Sequence, residues 1–136
     1  MKVNKLAAGA ILQCIVQIGL CVSAHAFQLD GAWTADKSVC PKIFAKDGAS
    51  IAFAPNSELW GKGFVVDRNS IKGQRTSCVI KHRKEEGAQL YIVVQCSDDI
   101  MLDQVQLHLR ITGDNSITRY IPAIEGLEST YVRCSF

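Results

Sequence analysis

Beyond its opening stretch the sequence has no surplus of charge. Of its 15 lysines and arginines, Lys2 and Lys5 lie near the start, and the remainder equals the 13 aspartates and glutamates. A balanced chain lacks the field that steers a protein to nucleic acid or an anionic membrane. Histidine is scarce: beyond His25 there are only His82 and His108, neither at a metal-ligand spacing, and both are expected on strand surfaces. The sequence has no GxSxG elbow, no HExxH pair and no glycine loop of the kind that cradles phosphate. Repeats, linkers and low-complexity runs are also missing. These absences argue for a protein that is not an enzyme, holds no cofactor or metal, and binds no nucleic acid.

The first 26 residues have the three parts of a signal peptide. Lys2 and Lys5 are followed by an apolar run from Leu6 to Val22, and Ala24-His25-Ala26 puts small residues where a signal peptidase reads them. Gln13 and Gln17 dilute the run, which falls short of the roughly 20 apolar residues of a membrane span. A lipoprotein signal acylated at Cys21 is the other reading, but Leu20 stands where a small residue is normal. The expectation is a signal peptide over residues 1–26 and one domain over 27–136. Such a chain would be periplasmic or secreted, with no stable membrane anchor after cleavage.

Cys14 and Cys21 would leave with the leader, and Cys40, Cys78, Cys96 and Cys134 would remain. Their separations of 38, 18 and 38 residues are too long for paired zinc ligands or a CxxC redox motif. An even count in a small exported domain reads as two disulfides.

Short alternating runs fill the domain, predicting an all-β fold. Phe27, Leu29, Gly31 and Trp33 share one face of a first strand, and Asp36 caps a short helical segment reaching Phe44. Further strands are expected at Ser50–Ala54, Trp60–Asp67, Gly73–Lys84, Ala88–Cys96, Asp103–Thr112, Ser116–Ile121 and Ser129–Cys134. Eight strands joined by hairpins close most simply as a small antiparallel up-and-down barrel, which leaves no open edge. A two-sheet β-sandwich is the alternative. In the central hairpin, a three-residue loop Glu85-Glu86-Gly87 pairs Lys84 with Ala88 and sets Cys78 diagonal to Cys96. A slip of two residues would place the cysteines directly opposite. Closure brings the last strand beside the first, so the expected bridges are Cys78–Cys96 and Cys40–Cys134. Cys40–Cys78 with Cys96–Cys134 is the competing pattern.

Gly31-Ala32-Trp33, the helical segment after it and Arg133 on the last strand resemble the lipocalin-like (calycin) barrels. The chain also resembles short exported bacterial proteins of uncharacterised function, with an early GxW, Cys40, Cys78/Cys96 and the terminal Tyr131-Val132-Arg133-Cys134. The resemblance implies that Gly31, Trp33 and Arg133 close the barrel floor, the cation lying over the ring. It departs from true lipocalins in being shorter and in lacking a Thr-Asp-Tyr motif between the late strands. An eight-stranded barrel is either filled by side chains or holds one small ligand, and the inward set here, with Phe53, Phe64 and Trp33, would suit a packed core.

Two stretches attract a binding reading. Trp60 and Lys62 lie in Ser57–Gly63, where an aromatic with a polar handle would suit a barrel mouth. Asp98 and Asp99, with Asp103 nearby, form the densest acidic cluster but lack the glycine and terminal glutamate of a calcium loop. The basic run Lys81–Lys84 is balanced by Glu85 and Glu86. The most economical function is a binding module for a small apolar ligand or an envelope component. The alternative is a protein–protein module such as a periplasmic hydrolase inhibitor or an immunity protein. A cavity inside the barrel large enough for a ligand, about 300 Å³ or more, would separate the two.

Overall fold

The computed structural model describes residues 25–136; the expected leader falls outside them apart from His25 and Ala26, as do Cys14 and Cys21. Ten strands form: β1 (Gly31–Thr34), β2 (Phe44–Asp47), β3 (Ser50–Phe53), β4 (Gly63–Asp67), β5 (Ser70–Gly73), β6 (Ser77–Glu86), β7 (Gln89–Ser97), β8 (Leu102–Gly113), β9 (Ser116–Tyr120) and β10 (Glu128–Arg133). Eight close into an antiparallel barrel in the order β1-β10-β9-β8-β7-β6-β5-β4, with β4 returning to β1. The sandwich alternative is excluded. Among the described residues no helix is long and apolar enough to cross a membrane.

The eight barrel strands are not the eight expected. Ser50–Phe53 is a strand, but it pairs only with β2 and stands outside the barrel. Its place in the wall is taken by β5, which the expected strands left out apart from Gly73, the first residue of the arm Gly73–Lys84. Arg68, at φ 53°, and Asn69 make a two-residue turn between paired Asp67 and Ser70, and the Gly73 amide donates to the Thr76 carbonyl at 2.8 Å to turn the chain again. A four-residue strand between two tight turns is too short to show a period.

The β6–β7 register also differs. Glu86 pairs with Gln89, so the loop is Gly87-Ala88, with Gly87 at φ 58°; glycine first in a two-residue loop is the pattern of a type II′ turn. A bulge between Ile80 and His82 then shifts the ladder, and Cys78 pairs directly with Cys96. Both expected bridges are formed, Cys78–Cys96 and Cys40–Cys134. They fit an oxidising compartment rather than a reducing one.

Two cores result. Inside the barrel, Leu29, Trp33, Val66, Leu90, Ile92, Val94, Leu109 and Ile117 form one buried cluster. Outside it, the opposite face of β1 and β4 offers Ala32 and Val65, and Cys40, Ile43, Phe44 and Cys134 cover them. This second layer is the helical turn Lys37–Val39, α1 (Cys40–Ile43) and the β2–β3 hairpin. Asp36 begins it as expected: its carboxylate accepts from the Ser38 amide at 2.8 Å, and the Ser38 side chain, together with that amide, holds its pKa below the ordinary value. Phe53 belongs here, its ring 5.4 Å from that of Phe44, and not inside the barrel. Gly63 makes the layer possible, since a Cβ there would lie 2.5 Å from Phe44 Cζ.

Candidate functional site: a closed floor and an open mouth

At one end the chain before β1 crosses the barrel and seals it. β1 begins only at Gly31, because Phe27–Asp30 turns across the opening instead of extending the ladder. The turns of the neighbouring hairpins hold it. Arg68 N–H donates to the Asp30 carboxylate at 2.9 Å, the Phe27 amide donates to both Glu85 carboxylate oxygens at 3.2 and 3.1 Å, and Arg83 donates to the Phe27 carbonyl.

Trp33 sits fully buried above this segment and donates its Nε1–H to the Leu29 carbonyl at 2.9 Å. Its ring stacks on Phe64, with centroids 6.4 Å apart at 13°. Trp33 and Arg133 are register partners across β1 and β10, and the guanidinium lies 4.4 Å from the indole centroid. Arg133 also donates to the Gln28 and Asp30 carbonyls and to Asn115 Oδ1. Burial lowers its pKa, and the Asp30 charge works the other way. Gly31, at φ 130°, is where the arginine crosses: a Cβ would lie 3.3 Å from Nη1. The three residues therefore meet as one structural unit, the floor.

The other end is open. Above the floor lies a pocket of about 210 Å³ lined by Leu29, Phe64, Ile71, Leu107, Leu109 and Tyr131, with Thr76, Cys78 and Arg119 toward the top. A wider mouth of about 370 Å³ shares Ile71, Thr76, Cys78, Leu107 and Arg119 with it and adds Met101, Asp98 and Asp103. The wall is low on this side because β9 pairs with β8 only from His108 onward, leaving Val105 and Leu107 half-covered. The barrel is packed at its base and hollow at its top, where the inner pocket by itself is smaller than the expected ligand-sized cavity and the mouth it opens into is larger.

The four residues singled out from the sequence are divided by this geometry. Asp98 is at the mouth, where its carboxylate accepts from the Ile100 and Met101 amides at 2.9 and 2.8 Å and is held below its ordinary pKa by them. Asp99 lines a shallow groove beside it, with Lys72 and Arg75. Trp60 is half exposed, with the Lys42 ammonium 3.9 Å from its ring centroid, and lines none of these hollows. Lys62 contributes its carbonyl, which accepts from the Thr34 hydroxyl at 3.1 Å. Among the described residues, no group of three or more His, Cys, Asp or Glu side chains could hold a metal ion.

Arg119 escaped the sequence reading although its parity was visible. It lies two residues after the fully buried Ile117 on β9, so it shares Ile117's inward face. His108 is on the outer face, as expected, between the rings of Tyr91 and Tyr120 at 5.4 and 5.7 Å. Tyr120 donates to Gln89 at 2.9 Å, and burial raises its pKa. No family model matches the chain, and neither does any curated protein or solved structure.

Proposed function

We propose that the chain is an exported binding barrel that takes one small, mostly apolar molecule through its open end. The observation that carries this reading is the hollow upper half of a barrel whose lower half is tightly packed. The pocket is lined mainly by aliphatic and aromatic carbon with a few polar groups at its top, the usual make-up of a small-molecule site. Burial of apolar ligand surface there is worth roughly 25 cal/mol per Å², so an alkyl or aryl group has a driving force without any catalytic machinery. The reading assigns the protein no catalysis, cofactor or nucleic acid.

Export is part of the same reading. Cleavage after Ala26 would leave Phe27 as the first residue, and its backbone nitrogen already faces the Glu85 carboxylate. The new ammonium would meet an opposite charge with no rearrangement. N-terminal sequencing of envelope protein beginning at Phe27 is the expected result; an intact Met1 would refute it.

The test of binding is a fluorescence titration with the neutral apolar probe N-phenyl-1-naphthylamine. The wild-type domain should bind one equivalent, and Leu107→Trp, which fills the upper pocket, should weaken binding at least tenfold. The alternative, a protein–protein module, is favoured by the exposed Leu59, Trp60, Ile100, Met101 and Leu102. It would be preferred if the probe does not bind and Leu107→Trp behaves as wild type.

A further inference from the structure

Arg119 is a cation placed where an apolar pocket meets solvent. It lines both the inner pocket and the mouth, and its register partners are Leu109 on β8 and Ser129 on β10. Among the described residues no carboxylate lies within ion-pairing distance of it, and no hydrogen bond engages its guanidinium. Arg133, Arg110, Arg83 and Arg68 are each committed to a carbonyl, an amide or a carboxylate, and Arg75, which has no such partner either, lines the outer groove and not the inner pocket. Thr76 and Tyr131, which share the inner pocket, bring two hydroxyl groups to the same lining. The polar part of the pocket is thus dominated by donors, while its lower walls are carbon.

We infer that the pocket selects an amphiphile with an oxyanion head and a single apolar tail, the head on Arg119 and the tail against Leu29, Phe64, Ile71 and Leu107. The inference rests on the binding reading above and specifies its ligand class. A guanidinium presents a planar fork that matches a carboxylate with two parallel charge-assisted hydrogen bonds. Asp98 and Asp103 line only the outer mouth, not the inner pocket. The cation is therefore the one charged side chain lining the inner pocket. An ammonium head would have to sit beside Arg119 to bury the same tail, and a neutral hydroxyl head would offer this exposed fork one uncharged acceptor in place of a charged, two-oxygen partner.

The experiment uses the mature chain and three ligands with the same ten-carbon tail: n-decanoate, n-decanol and decyltrimethylammonium. Affinities are read by displacement of N-phenyl-1-naphthylamine for the wild type, Arg119→Met and Arg119→Lys, with circular dichroism confirming the fold. Decanoate should bind about tenfold more tightly than decanol in the wild type. Arg119→Met should bring that ratio to about one, the decanoate Kd rising toward that of decanol, and Arg119→Lys should keep part of the preference. Equal binding of decanoate and decanol by the wild type, tighter binding of the ammonium, or a ratio unmoved by Arg119→Met would overturn the inference and leave the pocket standing. If none of the three ligands nor the probe binds, the binding reading falls with it.

Discussion

Trp33→Ala removes the centre of the floor, and its cost can be worked from the contacts. The side chain is fully buried, so its truncation carries both a transfer and a cavity contribution, together about 3–5 kcal/mol for a large aromatic. The cavity has little scope to collapse, because Phe64 is held in β4 and Arg133 is anchored by several acceptors. The lost Nε1–H bond leaves the Leu29 carbonyl short of a donor, adding about 1 kcal/mol. A further contribution of about 1 kcal/mol comes from the guanidinium that loses its ring. Small domains are stable by only about 5–15 kcal/mol, so the variant should be marginal. Urea unfolding under oxidising conditions, with both bridges intact, measures it. Trp33→Phe, which keeps a ring but not the donor, should lose roughly 1–3 kcal/mol by the same reasoning. A midpoint for Trp33→Ala equal to wild type would refute the floor; so would equal losses in the two variants.

Gly31→Ala should destabilise by about 2 kcal/mol or more, since it combines a φ of 130° that L residues avoid with a Cβ 3.3 Å from Arg133 Nη1; thermal melts against wild type check it. Replacing Cys40 and Cys134 by serine should cost up to about 4–5 kcal/mol, because the bridge spans 94 residues, whereas removing Cys78–Cys96, spanning 18, should cost about 3 kcal/mol on the same chain-entropy account. Equal losses would show that loop length does not govern these bridges. Asp98 has its pKa depressed by the amides of Ile100 and Met101, so whatever order it lends the loop is present above its unfolded value and lost as pH falls through the lower folded one. The amide shifts of Ile100 and Met101 should titrate together below pH 3.8; titration above that value would contradict the hydrogen bonds.

Much of the scaffold was legible in the residues. A cross-strand cysteine pair on one face of a hairpin, and cysteines near the two chain ends, were enough to expect both bridges once closure was assumed. Gly31, Trp33 and Arg133 were legible as a unit because resemblance and strand adjacency pointed to the same contact. Membership of the barrel was harder. Ser50–Phe53 and Ser70–Gly73 are both four residues long, and alternation cannot say which one joins a closed wall. That choice is made by tertiary packing: Phe44, Phe53 and Ile43 have a carbon surface to cover at Ala32 and Val65, and Gly63 leaves room for it. The hairpin loop was misread because a glycine at positive φ suits the third place of a three-residue loop as well as the first of a two-residue one, and the bulge after Ile80, which sets Cys78 opposite Cys96, has no signature in Lys81-His82-Arg83-Lys84. Trp60 stood out as a rare residue, yet rarity does not place a side chain in a cavity. Arg119 stood in an ordinary polar stretch, and only its parity with Ile117 betrayed that it faces inward.

The most direct test of the hollow upper barrel as a ligand site is isotope-filtered NMR of the mature chain with bound N-phenyl-1-naphthylamine. The account predicts one slowly or moderately exchanging ligand with intermolecular contacts to the methyl groups of Ile71, Leu107 and Leu109. Contacts confined to the outer faces, at Val79 or Ile51, or no contacts at a saturating probe concentration, would contradict it.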